Sequence, residues 1–408
     1  MKILVTDGEN RSALAVTRSL GRKGHSMLIS GPKIKTLAAC STYCRKSFAV
    51  PDPLEHSENY SEAIAEIVLR EKVEVIFPVS EQSIYCLNNY RSNFDSSVIM
   101  ACEQPEKMEA VSNKFRLFQM AEHLGIAMPR TRYVNCTADF FTQYGAITEF
   151  PVVVKPAFSK IIEGEKIISS RVMYAYDREE LCRLYETNPA LRYPSMIQEL
   201  IVGEGTGLFT LFDRDRHLAL FSHRRLLEKP PSGGVSVLSE SVALDQEMIE
   251  AARKLLAEVA WSGIAMVEFK RDIRDGSAKL MEINGRFWGS LQLAVAAGVD
   301  FPMLCLDYYL GKNPASLHSD YLVGHRLKWF FGILDHLIIR LKNNSKHMTL
   351  PPEIPGMTGV LSALLRSGGG NTSQDVYDPK DLVPFISETG AYVMQLFGRS
   401  NSFSRHQR

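Results

Sequence analysis

The opening hundred residues alternate between two hydrophobic periods. "KILVTDG" is a short apolar run, "RSALAVTRSLGRKGH" carries apolar residues at helical spacing and ends in glycines, and "SMLISGP" is apolar again. "YSEAIAEIVLREK" and "VEVIFPVS" repeat the alternation. Strands separated by a helix cannot be joined by a tight hairpin, so the chain must cross over and the strands become parallel. Residues 1–110 are therefore expected to form a Rossmann-like, doubly wound parallel sheet. Its first strand runs into "DGENRSA", which has one glycine in place of GxGxxG. That disfavours a nicotinamide dinucleotide site and leaves this domain as a wall for a site elsewhere.

A chain of 408 residues exceeds one ordinary core, so two or three domains are expected. The 47 basic and 46 acidic residues nearly cancel, which gives no general attraction to nucleic acid or an anionic membrane. The seven cysteines form no CxxC pair, and Cys40 and Cys44 have no histidine cluster beside them. Reduced thiols in a cytoplasmic protein are the plain reading. "MKILVTDGEN" is too polar for a signal peptide. "WFFGILDHLIIRL" is broken by Asp335 and His336, well short of the ~20 apolar residues of a membrane span.

Beyond residue 110 the pattern changes. Ser112 is a candidate cap for a helix that ends at Gly125, with Pro129 beyond. "FPVVVKPAF" reads as a strand with Lys155 at its end, and "DRDR" as a hairpin tip. "DQEMIEAARKLLAEVAW" reads as an amphipathic helix. "IAMVEFKRD" and "AKLMEIN" are then joined by Asp275-Gly276, a strong hairpin signal. Two registers compete. A two-residue loop sends Glu268 and Glu282 to opposite faces. A three-residue loop, Arg274 to Gly276 with Gly276 left-handed, sets them opposite each other with Cβ atoms about 5 Å apart. The second is favoured, since Met281 and Ile283 then share a core face with Val267 and Phe269.

That register gathers Glu268, Glu282, Asn284 and Arg286 on one face. Two carboxylates so close repel unless cations lie between them. Oxygen donors without His or Cys suit Mg²⁺, or Mn²⁺, and Arg286 could meet phosphate oxygens. A solvated strand face with ordinary ion pairs would look the same.

Taken with Lys114, Lys155 and "MIQELIVGE", in that order, the "EINGR" segment resembles the ATP-grasp superfamily and, within it, carbamoyl-phosphate-synthase-like carboxylate–amine ligases. The resemblance runs from residue 1 to about 310. It implies a pre-ATP-grasp domain (1–110), a small lid lobe (111–190), a large lobe with the metal site (191–310) and a mainly helical C-terminal region (311–408). It implies ATP and magnesium as cofactors. Lys114 and Lys155 would reach the phosphates, and Gln198, Glu199, Leu200 and Ile201 would form the adenine hinge. Glu204 would accept from the ribose, Glu268, Glu282 and Asn284 would hold metal, and Arg286 would stabilise the transferred phosphoryl group. The phosphate-covering segment "AFSKIIEGEKIISS" has one glycine, Gly164, where the family is rich in Gly and Ser, so Lys160 would supply charge where amides usually do.

"FSHRRLLEKPPSGGVSVLSES" suits an anionic substrate, because arginine forks onto carboxylates. His223, Arg224, Arg225 and Ser236 are the candidates. Strand alternation admits only one of the two arginines, the alternative being surface pairs with Glu228 or Glu240. The implied reaction joins a small carboxylate to an amine through an acyl phosphate. Rival readings are phosphorylation of bicarbonate or carbamate, and a non-catalytic nucleotide-binding protein. "HRLKWFFGILDHLIIRLK" would cover the core or a homodimer mate.

Overall fold

The computed structural model describes residues 1–158, 160–163, 166–312, 316–342, 355–365 and 370–403. Its first strands are β1 (Lys2–Val5), β2 (Ser26–Gly31), β3 (Cys44–Ala49), β4 (Val75–Phe77) and β5 (Ile99–Met100). They form one parallel sheet in the order β3-β2-β1-β4-β5. The helix Arg11–Arg22 buries Ala13, Leu14, Val16 and Leu20 at helical spacing against it. Asp7, just past β1, accepts hydrogen bonds from the Ser80 backbone and from the Ser80 and Ser83 hydroxyls. The carboxylate thus holds the start of the helix Glu81–Asn89 in place.

Next come β6 (Thr131–Val134), β7 (Val152–Pro156), β8 (Lys160–Glu163), β9 (Lys166–Ser169), β10 (Met173–Ala175) and β11 (Ser195–Glu199). Four of them make an antiparallel sheet, β10-β7-β11-β6, and β8 pairs with β9 alone. This sheet takes in β11, which lies past residue 190 where the small lobe was expected to end. The helix before it also starts differently from expectation. Asn113, not Ser112, is the cap, its side chain accepting from Arg116 N at 3.1 Å. The chain breaks there into two helices, Pro105–Ser112 and Lys114–His123.

The large sheet is built from β12 (Gly203–Asp213), β13 (Arg216–Lys229), β14 (Val235–Ser241), β15 (Ser262–Asp272), β16 (Ala278–Asn284), β17 (Arg326–Lys328) and β18 (Thr372–Gln374), in the order β16-β15-β12-β13-β14-β17-β18. The C-terminal region is mainly helical, as expected, with the three-residue strands β17 and β18 extending this sheet. Across the β15–β16 hairpin, Val267 faces Ile283 and Glu268 faces Glu282. The loop that produces this is longer than expected. Asp272 N donates to Ser277 O, which leaves Ile273 to Gly276 as a four-residue loop with Gly276 left-handed at φ +73°. The register then slips between Glu268 and Phe269, so that Phe269 faces Leu280 and Met281 bulges out. Leu280, not Met281, fills the core beside Phe269.

Three acids beyond β18 bind the first helix. Arg11 pairs with Asp375, Arg18 with Asp381 and Arg22 with Asp378. The middle pair is buried, and Asp381 also accepts from Ser41 Oγ at 2.7 Å and Thr42 N at 2.8 Å. Removing one partner of such a pair leaves an uncompensated buried charge. Asp381→Ala should lower unfolding free energy by about 3–5 kcal/mol, read by urea denaturation, whereas Asp378→Ala at the half-exposed pair should cost under about 1 kcal/mol.

Candidate active site

A cavity of about 430 Å³ lies between the small sheet and the large one. The hairpin supplies its floor. Asn284 Nδ2 donates to Glu282 Oε1 at 3.0 Å and to Glu268 Oε1 at 3.3 Å, so one amide spans both acids. Asn284 Oδ1 accepts from Arg286 Nη2 at 3.0 Å. Arg286 leaves the strand through Gly285, where a side chain has no room. A Cβ there would stand 2.4 Å from the Trp261 ring. Arg286 has no acid partner among the described residues and donates otherwise to Phe287 O at 3.0 Å.

Two cations from elsewhere in the chain reach the acids. Lys114 is the first residue of its helix, a poor position for a positive charge because the helix dipole opposes it. It is compensated by Glu282, with Nζ 3.6 Å from Oε2. Arg225, on β13, meets Glu268 Oε2 at 2.5 Å and Glu228 Oε1 at 3.0 Å. Burial works to raise the Glu282 carboxyl, yet Lys114, Asn284, Arg225 and Lys155 together carry it down to about 2. Burial pushes Glu268 up to about 7, with Glu282 adding to the rise and Arg225 opposing it.

Lys155 ends β7 as a buried residue, its ammonium 3.9 Å from the Met281 sulfur and over the Phe118 ring. Burial presses it down to about 8. The bulge at Met281 thus serves the site, turning a thioether toward the lysine instead of the core. The hinge Gln198 to Ile201 also lines the cavity. Gln198 Nε2 donates to Thr131 Oγ1 at 2.9 Å, and its Oε1 is buried with no partner. The Glu199 carboxylate is engaged by Arg130 N at 3.0 Å and Arg274 Nη1 at 2.9 Å. Leu200 and Ile201 belong to neither β11 nor β12.

Other expected residues lie elsewhere. Glu204 is outside the cavity lining, 3.4 Å from Arg224, and Arg224 turns to Glu240 at 2.7 Å. Of the two arginines, Arg225 alone lines the cavity, together with Ser236. His223 shares the Arg225 side of β13 but is sealed beneath Phe209, ring centroids 4.6 Å apart. Neither of its ring nitrogens has a partner, and burial holds the imidazole neutral. Lys160 begins β8, while its side chain and Gly164 lie outside the described residues.

Sequence reasoning missed two charged residues of the cavity lining. Lys270 stands two positions after Glu268 on the same strand face, so alternation alone could have found it. Glu228 reaches the cavity because the register of β13 against β14 slips between Arg225 and Glu228. Among the described residues no group of three or more His, Cys, Asp or Glu side chains is placed to hold a metal. The all-oxygen set of Glu268, Glu282 and Asn284 nevertheless fits a hard divalent cation, which commonly takes one or two carboxylates and completes its shell from phosphates and water. No single helix among the described residues is long and apolar enough to cross a membrane.

A parallel-sheet domain followed by two antiparallel lobes with a cation-lined cavity between them is the ATP-grasp fold, and this chain has it. Residues 220–329 match the family model described as ATP-grasp in the biosynthetic pathway with Ter operon. The D-aspartate ligase of Enterococcus faecium is 25% identical over 194 residues, 44% of this chain and 45% of the relative, so the match spans about half the length of that curated protein. Among solved structures, the L-amino acid ligase from Bacillus licheniformis aligns with a TM-score of 0.58 at 15% identity, covering 76% of this chain and 74% of the other. Biotin carboxylase from Campylobacter jejuni aligns with a TM-score of 0.62 at 16% identity, covering 77% and 72%.

The lysine environment sets a pH dependence. Lys155 is cationic below about pH 8 and neutral above it, so its attraction for any anion in the cavity is present at pH 7 and lost as pH rises through 8. ADP affinity measured by calorimetry should fall between pH 7 and 9.5. Lys155→Arg, which stays charged, should flatten that profile.

Proposed function

We propose that this chain is an ATP-dependent carboxylate–amine ligase that forms an amide or peptide-like bond and releases ADP and phosphate. The observation that carries the reading is the convergence of Glu268, Glu282, Asn284 and Arg286 with Lys114 and Lys155 around one cavity. Two opposed carboxylates bridged by an amide, with two lysines lining the same cavity, suit a metal–triphosphate, whose charge needs cations on both sides.

Lys114 and Lys155 bind the phosphates, and the backbone of Leu200 and Ile201 takes the adenine edge. The apolar side chains of Val153 and Met281 offer the base its walls. Glu268, Glu282 and Asn284 hold magnesium, which when bound neutralises the phosphates and favours in-line transfer. Lys160 lies on the hairpin that covers the phosphates. Glu204, held against Arg224, is a poorer ribose acceptor than the sequence resemblance implied, and Glu228 is the buried acid within the cavity.

A substrate carboxylate oxygen attacks the γ-phosphorus while the bond from that phosphorus to the ADP oxygen breaks. Arg286 faces the oxygens of the transferred group. The amine nitrogen then attacks the acyl carbon, the carbon–oxygen bond to phosphate breaks, and the nitrogen loses a proton. Exclusion of water is essential, because an acyl phosphate hydrolyses. Arg225, Ser232, Gly233, Gly234 and Ser236 also line the cavity, and the acid would sit against them. His223, buried and neutral, takes no part as a base. The name of the D-aspartate ligase favours amino acids as substrates, whereas the likenesses to the L-amino acid ligase and the carboxylase, at 15% and 16% identity, speak only of the fold.

The test is phosphate release from ATP and magnesium with pairs of amino acids, and with bicarbonate, with the nucleotide product identified. ADP formed only when acid and amine are both present is the expected outcome. AMP would mean an adenylating enzyme and overturn the acyl-phosphate reading. Glu282→Gln should reduce turnover by about 100-fold or more with the unfolding midpoint unchanged, and full activity would reject its place in the site.

A further inference from the structure

Arg225 is over-committed. Its guanidinium meets Glu268 through Nη2 at 2.5 Å, and through Nη1 it donates to Glu228 at 3.0 Å and to the Gly234 carbonyl at 3.3 Å. Its Nε is buried with no partner among the described residues. One side chain therefore joins three parts of the site: the acid floor on β15, its own strand β13, and the loop between β13 and β14. That loop is the border of the acceptor end. Ser232, Gly233 and Gly234 line the cavity. Its first half is anchored by buried Pro231 and a Gly233 N to Pro230 O hydrogen bond of 3.1 Å, whereas its second half has no side chains: Gly233 is left-handed at φ +134°, and a Cβ on Gly234 would stand 2.4 Å from Lys229 O. The Arg225–Gly234 hydrogen bond is the contact that joins this loop to the acids.

The same Glu268 oxygen is wanted twice. A divalent cation seated on Glu268 and Glu282 would place positive charge within a few ångströms of the guanidinium, and like charges at that range repel strongly in a partly buried site. Arg225 has somewhere to go, because Glu228 lies three residues along its own strand and keeps it in the cavity. Once off Glu268 it has donors to spare, Nε among them, and a planar fork suited to a carboxylate.

We propose that Arg225 and a divalent cation compete for Glu268, so that metal loading releases Arg225 together with the 230–234 loop and prepares the acceptor end. Arg225 is then a positioning residue that imposes an order, metal–nucleotide first and acid second. The proposal rests on the ligase reading in taking Glu268 as a metal ligand. The order has a chemical use: an acid that can dock only beside a loaded phosphoryl donor does not block an empty site.

The competition can be read without turnover, by counting free Mn²⁺ by electron paramagnetic resonance over the full-length protein with no nucleotide. Arg225→Met should bind Mn²⁺ about tenfold or more tightly than the native chain, Arg225→Lys should lie near the native value, and Glu268→Gln should bind more weakly than all three. Unchanged or weaker affinity in Arg225→Met, with Glu268→Gln weakened, overturns the proposal and leaves the metal site standing. Unchanged affinity in Glu268→Gln removes both. A second measurement covers the chance that Arg225→Met folds poorly. Hydrogen exchange of the 232–236 amides should quicken in the native protein on adding Mg-ADP, and no change there would sink the coupling to the loop.

Discussion

Two carboxylates held face to face across a hairpin cannot be left alone, and much of this molecule is arranged around that fact. Glu268 and Glu282 are paired by backbone register, not by side-chain choice, so neither can turn away without unpicking β15 from β16. In a partly buried setting their repulsion has to be met by cations. Lys114 comes from a helix start, where the macrodipole works against a lysine. Arg225 comes from two strands away, with β12 between its strand and β15. Each is placed where its local element gives it little reason to be, and the acids supply the reason.

The bulge at Met281 makes this geometry possible. A four-residue loop at Ile273–Gly276 would by itself set Glu268 out of step with Glu282. One extra residue on β16 restores the pairing. The cost is a residue that no longer faces the core, and it falls on methionine, the side chain most tolerant of an irregular setting. Its sulfur then lies against Lys155. A bulge beside a candidate site, re-aiming one side chain and aligning another, is a common use of the device.

This also explains how far the sequence could be read. The Asp275-Gly276 turn and the apolar alternation on both sides demanded a hairpin, and the need to bury Val267 and Ile283 together chose the register. The pairing was right although the loop was not, because core burial fixes which residues share a face while turn length can be traded against a bulge. The same limit appears at β13. Alternation said that Arg224 and Arg225 part company, which they do, but no pattern in "RRLLEK" shows the slip that brings Glu228 inward. Glu204 and His223 failed to reach the cavity for another reason. Their strand faces were legible, but whether a face looks onto the cavity or under Phe209 depends on contacts between distant segments. The parallel sheet was legible throughout, since strand–helix alternation is local. The strands β17 and β18 were not, being three residues each and paired only through tertiary context.

The edge of the large sheet ties these levels together. Through β14 it pairs with β17, and β17 with β18, and just beyond β18 Asp375, Asp378 and Asp381 return to the helix Arg11–Arg22 of the first domain. Arg11 is the hinge of this clasp, stacked 4.0 Å over Trp329 and lying close behind Gly289 of the cavity wall. The C-terminal segment therefore fixes the first domain against the large sheet while leaving the small sheet outside the clasp.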